Sequence, residues 1–199
     1  GGSGANTIDG GADYDIADAD FSDQTGDVVA ENGGVAGVVY QFTVGGKAYG
    51  SVTNVEMMTG LAGGTGDDRL GSTYLLTSQN ASIAGGAGTD TAVIDLSSDT
   101  TGTFSGGVGS GIIYNNATGR FLSLSSIESL EFTGNAVNGS YNNGIVGGGA
   151  ADILTGLGKA DIFRGGGGND RVRGNGGDDQ LFGDAGDDIL FGGDGNDIL

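Results

Sequence analysis

From Gly147 to Leu199 the chain repeats every nine residues: GGGAADILT, GLGKADIFR, GGGGNDRVR, GNGGDDQLF, GDAGDDILF and GGDGNDIL. A period this short and strict leaves few folds open, because one unit is too small to bury anything alone. Every block opens with Gly. Every block has Asp at its sixth place: Asp152, Asp161, Asp170, Asp179, Asp188 and Asp197. Every block has a large apolar residue at its eighth: Leu154, Phe163, Val172, Leu181, Leu190 and Leu199. Glycines supply backbone at φ > 0 and close approach, so the first half of each block reads as a turn. The last three residues read out-in-out, a very short strand with one buried side chain. Stacked copies lay each apolar residue on its neighbour and build a continuous core.

The fixed Asp falls where turn meets strand. One reading is a solvated turn residue closing an Asx-turn. The other is a cation ligand, and a phase kept through six blocks favours it. A column of carboxylates repels itself unless a cation lies between its members. Carboxylates with turn carbonyls form an all-oxygen site, which suits Ca²⁺.

These blocks resemble the RTX nonapeptide, GGxGxDxUx, of secreted bacterial proteins. The resemblance implies an all-β fold, a right-handed parallel β-roll or β-solenoid with Gly-Asp-rich calcium-binding turns. It implies that two blocks make one coil, so that blocks alternate between two sides. One column then holds Asp152, Asp170 and Asp188, and the other Asp161, Asp179 and Asp197. Turn carbonyls, among them those of Gly166, Gly168, Gly177 and Gly186, complete the ligand set, with about four Ca²⁺ in 147–199. Two blocks depart from the family pattern. Ala150 and Ala151 stand in the first, and Leu157 and Lys159 take glycine places in the second. These departures leave Asp170 with Asp188 as the cleanest expected site. Fifth-place Asp67, Asp178 and Asp187 read as solvent-facing charges.

Earlier in the chain the period is weaker. GGSGANTID and GGADYDIAD open it, offering Asn6 and Asp15. GGTGDDRLG carries Asp68 and GGAGTDTAV carries Asp90, two further candidate ligands without clear neighbours in phase. Asn143 is a weaker candidate. From about residue 19 to 60, and again from 94 to 135, strand-like runs take over. They include Val28–Ala30, Val35–Val44 and Tyr49–Met58, with Gly45-Gly46 as a hairpin signal. Sliding the chain on itself by 75 residues sets Gly10-Gly11-Ala12 on Gly85-Gly86-Ala87 and SVTNVEM on SIESLEF. It also sets Ile8 on Ile83 and Leu70 on Ile145. The expected organisation is two degenerate copies of one unit, 1–75 and 76–146, then the regular roll at 147–199. The two strand-rich excursions interrupt the roll as wider coils or as hairpins.

Composition narrows the function. A net charge of −19 with only 7 basic residues offers no groove for nucleic acid. No apolar run reaches the length of a membrane span, so direct insertion is not expected. There is no cysteine for a disulfide scaffold. There is no His, no G-x-S-x-G elbow and no P-loop, so catalysis within this chain is not expected. A parent protein can still carry an enzyme elsewhere. Block edges at both ends are expected of a piece of a longer repetitive protein, and the resemblance implies a type I secretion signal beyond Leu199.

The expected role is a calcium-binding module of a secreted or cell-surface bacterial protein that folds or stiffens on binding extracellular Ca²⁺. The alternative is a structural or adhesive segment of a surface layer, stalk or filament, stapled by Ca²⁺. Outward Ile153, Ile162, Phe182, Ile189 and Phe191 would then contact other copies of the chain or the rest of the parent protein.

Overall fold

The computed structural model describes residues 6–9, 16–26, 28–32, 40–53, 57–71, 80–97, 104–108, 111–134 and 144–199. Expected features at Asp15, Val35–Val39, Ser72–Leu75 and Asn143 lie outside these residues. The named elements among the described residues are all strands. The first group is β1 (Asn6–Asp9), β2 (Ile16–Asp20), β3 (Val28–Asn32), β4 (Tyr40–Val44), β5 (Lys47–Thr53), β6 (Met57–Ala62) and β7 (Arg69–Gly71). The second is β8 (Ala81–Ala84), β9 (Thr91–Asp95), β10 (Phe104–Gly107), β11 (Ile112–Asn115), β12 (Arg120–Ser125), β13 (Ser129–Thr133) and β14 (Ile145–Val146). The third is β15 (Ile153–Thr155), β16 (Ile162–Gly167), β17 (Arg171–Gly176), β18 (Gln180–Ala185) and β19 (Ile189–Asp194).

The strands form two sheets, one ordered β1-β5-β4-β3-β7-β9-β13-β15-β17-β19, the other β18-β16-β14-β10-β11-β12-β8-β6-β2. Successive nonapeptides enter opposite sheets, and each pairs in parallel with the block eighteen residues on: Ile153 with Arg171, Arg171 with Ile189, Ile162 with Gln180. This is a parallel β-roll. Neighbouring nonapeptides of this array do not pair, because a nine-residue half-coil carries the chain from one sheet to the other.

The strand-rich excursions lie within the sheets. β3, β4 and β5 form an antiparallel meander in the first sheet, and β10, β11 and β12 form one in the second. The turn between β4 and β5 holds Gly45 at φ 56° and Gly46 at φ 73°, the left-handed pair that a two-residue hairpin needs. The pairings of the first group recur in the second. β1–β5, β2–β6 and β3–β7 are parallel, as are β8–β12, β9–β13 and β10–β14. The sheets are exchanged between groups because a meander counts as one half-coil. Each group therefore makes an odd number of half-coils, and the next starts on the opposite face.

Eighth-place residues face inward. Leu154, Phe163, Val172 and Leu181 are completely buried. Ile94, Phe132, Leu154, Val172 and Leu190 are in register down one sheet. Ile145, Phe163 and Leu181 are in register down the other. Phe132 meets Phe163 across the sandwich edge-on, with centroids 6.1 Å apart and planes at 71°. In the last two blocks Leu190 is half-buried and Leu199 is 64% exposed.

The strands are longer than three residues in the last coils. β16 to β19 run six residues each, from the seventh place of one block through the third of the next. The first-place glycine therefore belongs to the strand, and the bend is confined to places four to six. Positive φ is needed at the second and fourth places only. Gly166, Asn175, Asp184 and Gly193 take it at the second, and Gly168, Gly177, Gly186 and Gly195 at the fourth. Asn and Asp tolerate that conformation better than most side chains.

Candidate metal centre

First-place glycines are required for space. A Cβ on Gly165 would lie 2.1 Å from Asp170 Oδ2 and 2.7 Å from the Gly183 carbonyl oxygen. A Cβ on Gly174 would lie 1.9 Å from Asp179 Oδ2 and 2.8 Å from the Gly192 carbonyl oxygen. In each block from Gly147 through Gly174 the carboxylate folds back over its own first glycine, where a carbonyl of the next coil in the column also lies. The result is an oxygen-lined cradle that any side chain would fill.

Two ladders join the columns. Asp170 Oδ1 accepts from the Asp152 N–H at 2.9 Å, and Asp188 Oδ1 from the Asp170 N–H at 2.9 Å. On the other side Asp179 accepts from Asp161 at 2.7 Å, and Asp197 from Asp179 at 3.0 Å. The structure thus sets the six sixth-place Asp residues into the two columns that the resemblance implies. It also finds in-phase neighbours for Asp68 and Asp90, which sequence spacing hides. Val28 N–H donates to Asp68 Oδ1, and Asp68 N–H to Asp90 Oδ1, at 2.7 and 2.8 Å. The excursions lengthen the sequence between coils without changing which coils touch.

Fifth-place residues answer in the opposite direction. Asn169 Oδ1 accepts from the Asp187 N–H at 3.0 Å, Asp178 Oδ1 from the Asn196 N–H at 2.8 Å, and Asp67 Oδ1 from the Thr89 N–H at 2.8 Å. Asp67 and Asp178 are therefore coil-to-coil acceptors as well as exposed charges. Ala151 and Ala160 at the same place have no such oxygen.

The six inner acids Asp68, Asp90, Asp152, Asp161, Asp170 and Asp179 are at most 4% exposed, while Asp188 and Asp197 are half-buried. Second oxygens divide these acids. Asp68 Oδ2 accepts from Gly64 N–H and Asp152 Oδ2 from Gly148 N–H, both at 2.7 Å, where the second-place glycine has no positive φ. Asp152 Oδ1 also accepts from Leu130 N–H, so both its oxygens are engaged. Where the second place is at positive φ, as at Gly86, Gly166 and Asn175, that bond is not made. Oδ2 of Asp90, Asp170 and Asp179 is then buried with no hydrogen-bond partner. Leaving such an atom bare is costly, more so on an ionised carboxylate. Among the described residues no three acidic side chains converge, so each cradle combines few carboxylates with turn carbonyls. The carbonyls of Gly168 and Gly177 face Gly186 and Gly195 of the next coil, lining the same bends. Gly166 in turn lies against the Gly148 carbonyl. Orphaned anionic oxygens beside carbonyls fit a hard divalent cation.

Burial raises the carboxyls of Asp90, Asp170 and Asp179 above the ordinary range, and neighbouring acids add to the rise. Burial pushes Asp152 up to about 7, against the lowering effect of the Gly148 and Leu130 N–H groups. A folded carboxyl raised in this way holds a proton that the unfolded chain releases. Its stabilisation is complete below the ordinary value of 3.8 and is lost as pH rises through about 7. In chelator, stability should therefore increase on acidification between those limits, by about 1.4 kcal/mol per pH unit for this group. Urea midpoints in chelator at neutral and mildly acidic pH test this. A midpoint that falls on acidification would contradict it.

Outward apolar places differ among themselves. Phe182 is half-buried under Arg164, whose guanidinium lies 4.4 Å from the ring centroid. Ile162 is half-buried. Ile153, Ile189 and Phe191 are 44–50% exposed, and Arg171 and Arg173 flank the Phe191 ring.

A family model describing the RTX calcium-binding nonapeptide repeat matches in four copies, at residues 1–23, 139–172, 146–181 and 164–199. No curated protein matches the chain.

Proposed function

Because this chain carries RTX calcium-binding nonapeptide repeats, which bind Ca²⁺, we propose that it is a calcium-folded module of a secreted or cell-surface bacterial protein. The carrying observation is the buried Oδ2 of Asp170 and Asp179, each without a hydrogen-bond partner and each over a glycine cradle. The proposed ligands are Asp152, Asp161, Asp170, Asp179, Asp188 and Asp197 with turn carbonyls that include those of Gly166, Gly168, Gly177 and Gly186. Asp68 and Asp90 extend one column. The Asp170 and Asp188 coils carry the most complete set, since Asp152 has both oxygens engaged. The units 1–75, 76–146 and 147–199 form one continuous stack in this proposal.

The ladders hold each carboxylate in place, and the glycines leave the space above it. Bound Ca²⁺ neutralises the columns. Without a cation the buried carboxylates repel one another and favour the expanded chain, so binding free energy becomes folding free energy. Extracellular calcium modules work at roughly 10⁻⁴–10⁻³ M. Such a chain is only marginally stable in the low calcium of a cytosol and is fully folded outside it.

Circular dichroism during a Ca²⁺ titration tests the proposal, with Mg²⁺ as the control. A steep gain of β-signal with Ca²⁺ and none with Mg²⁺ is expected. A chain equally folded in chelator would sink the folding role.

The exposed Ile153, Ile189 and Phe191 on one sheet face favour a second role, as a structural segment contacting other copies or the parent protein. Sedimentation in Ca²⁺ separates the two: monomers support the module, and defined assemblies support the segment.

A further inference from the structure

We infer that the return turn of the second excursion completes a further Ca²⁺ site, with the Asp90 and Glu128 carboxylates and the Ser126 carbonyl as donors. The inference rests on the proposal that buried Asp columns take Ca²⁺. It goes beyond it because Ser126 and Glu128 belong to no nonapeptide, and the stretch 24–138 lies outside the matched repeats.

Asp90 is fully buried, and its Oδ2 has no hydrogen-bond partner. That oxygen points over Gly85, where a Cβ would lie 2.4 Å from it and 2.0 Å from the Ser126 carbonyl oxygen. The same pairing of an Asp oxygen with a next-coil carbonyl lies over Gly165 and Gly174, where the carbonyl belongs to a first-place glycine. Here a serine provides it. Ser126 adopts φ 49°, a left-handed conformation that serine rarely takes. The Gly85 N–H bond to the Ser125 carbonyl, at 3.0 Å, ties the turn to the coil below.

Glu128 then occupies the station of the next sixth-place Asp. Its Oε2 accepts from the Asp90 N–H at 2.9 Å, as Asp188 accepts from Asp170. The longer side chain reaches the ladder from a turn of different shape. The second place of the Asp90 block, Gly86, is at φ 112°, matching Gly166 at 108°. Asp90 therefore lacks the N–H cap that engages Asp68 and Asp152. Burial, then the charges of Asp68, Glu128 and Asp67, push the Asp90 carboxyl upward. A cation here would tie β9 to the turn before β13 and close the loop that contains the β10–β12 meander.

The test measures Ca²⁺ bound per full-length chain by equilibrium dialysis, at the lowest concentration that saturates the unmodified chain. Asp90→Asn and Glu128→Gln are compared with Asp170→Asn. Glu128→Gln keeps an oxygen acceptor for the Asp90 N–H, so the ladder survives. Each of the first two variants should bind one ion fewer, and their double variant should lose the same single ion. Their thermal midpoints should fall in Ca²⁺ but not in chelator. If Asp170→Asn loses calcium while Asp90→Asn and Glu128→Gln keep the full count, this site is overturned and the columns stand. If none of the three loses calcium, the column proposal fails and this site fails with it.

Discussion

Asp170→Asn is expected to change stability in opposite directions with and without calcium. In chelator the Asp170 carboxylate is 2% exposed, its Oδ2 has no hydrogen-bond partner, and Asp188 and Asp184 add negative charge nearby. An amide keeps the Oδ1 acceptor for Asp152 N–H and carries no charge. Its NH₂ can donate toward the Gly183 carbonyl that shares the cradle. Removing an uncompensated buried charge should stabilise the calcium-free fold by on the order of 2 kcal/mol. In excess Ca²⁺ the same change removes an anionic ligand. A site held about 100-fold above its dissociation constant contributes about 2.7 kcal/mol, and that contribution should be lost. Denaturation of the same variant in chelator and in Ca²⁺ gives both signs. Destabilisation of equal size in both conditions would mean that Asp170 is only a ladder acceptor.

Phe163→Ala should cost about 3–5 kcal/mol in saturating Ca²⁺. Phe163 is fully buried, in register with Ile145 and Leu181, and packed edge-on against Phe132 of the facing sheet. It sits where the second excursion hands over to the regular coils, so its loss empties a layer shared by both. A stacked protein divides where nearest-neighbour coupling is weakest. The variant should therefore unfold in two steps, with the regular coils the last to melt in calcium. Calorimetry reads both the size and the splitting. Phe191→Ala is the comparison: at 44% exposure it should change stability by less than about 1 kcal/mol. Similar losses in both variants would mean that inward and outward places are not distinguished as the registers indicate.

Much of this arrangement is legible in the bare chain, because one side chain in nine is forced inward and one carboxylate in nine is kept at the bend. The period alone assigns Leu154 through Leu181 to the core, and the resemblance to the RTX nonapeptide implies the two Asp columns. The hairpin at Gly45-Gly46 is equally local: two residues at positive φ between strands admit few other structures. The 75-residue offset sets β1 on β8 and β2 on β9, and the same parallel pairings recur in both groups.

Other features were settled only by packing. The neighbours of Asp68 and Asp90 depend on which coils touch, and the excursions between those coils conceal it in the sequence. The first-place glycines look like turn formers, yet extended strands contain them, and space for a carboxylate is what they provide. Glu128 resembles any other acidic residue until a non-repeat turn brings it under the Asp90 N–H. Asp152 has its Oδ2 capped and Asp170 does not, because the residue four positions earlier differs in φ, which nearly the same block sequence takes in both forms at Gly148 and Gly166. Short-range chemistry repeats with the sequence period and can be read from it. The stacking of coils distant in sequence decides where the buried charge lies, because desolvation depends on what covers a group in space.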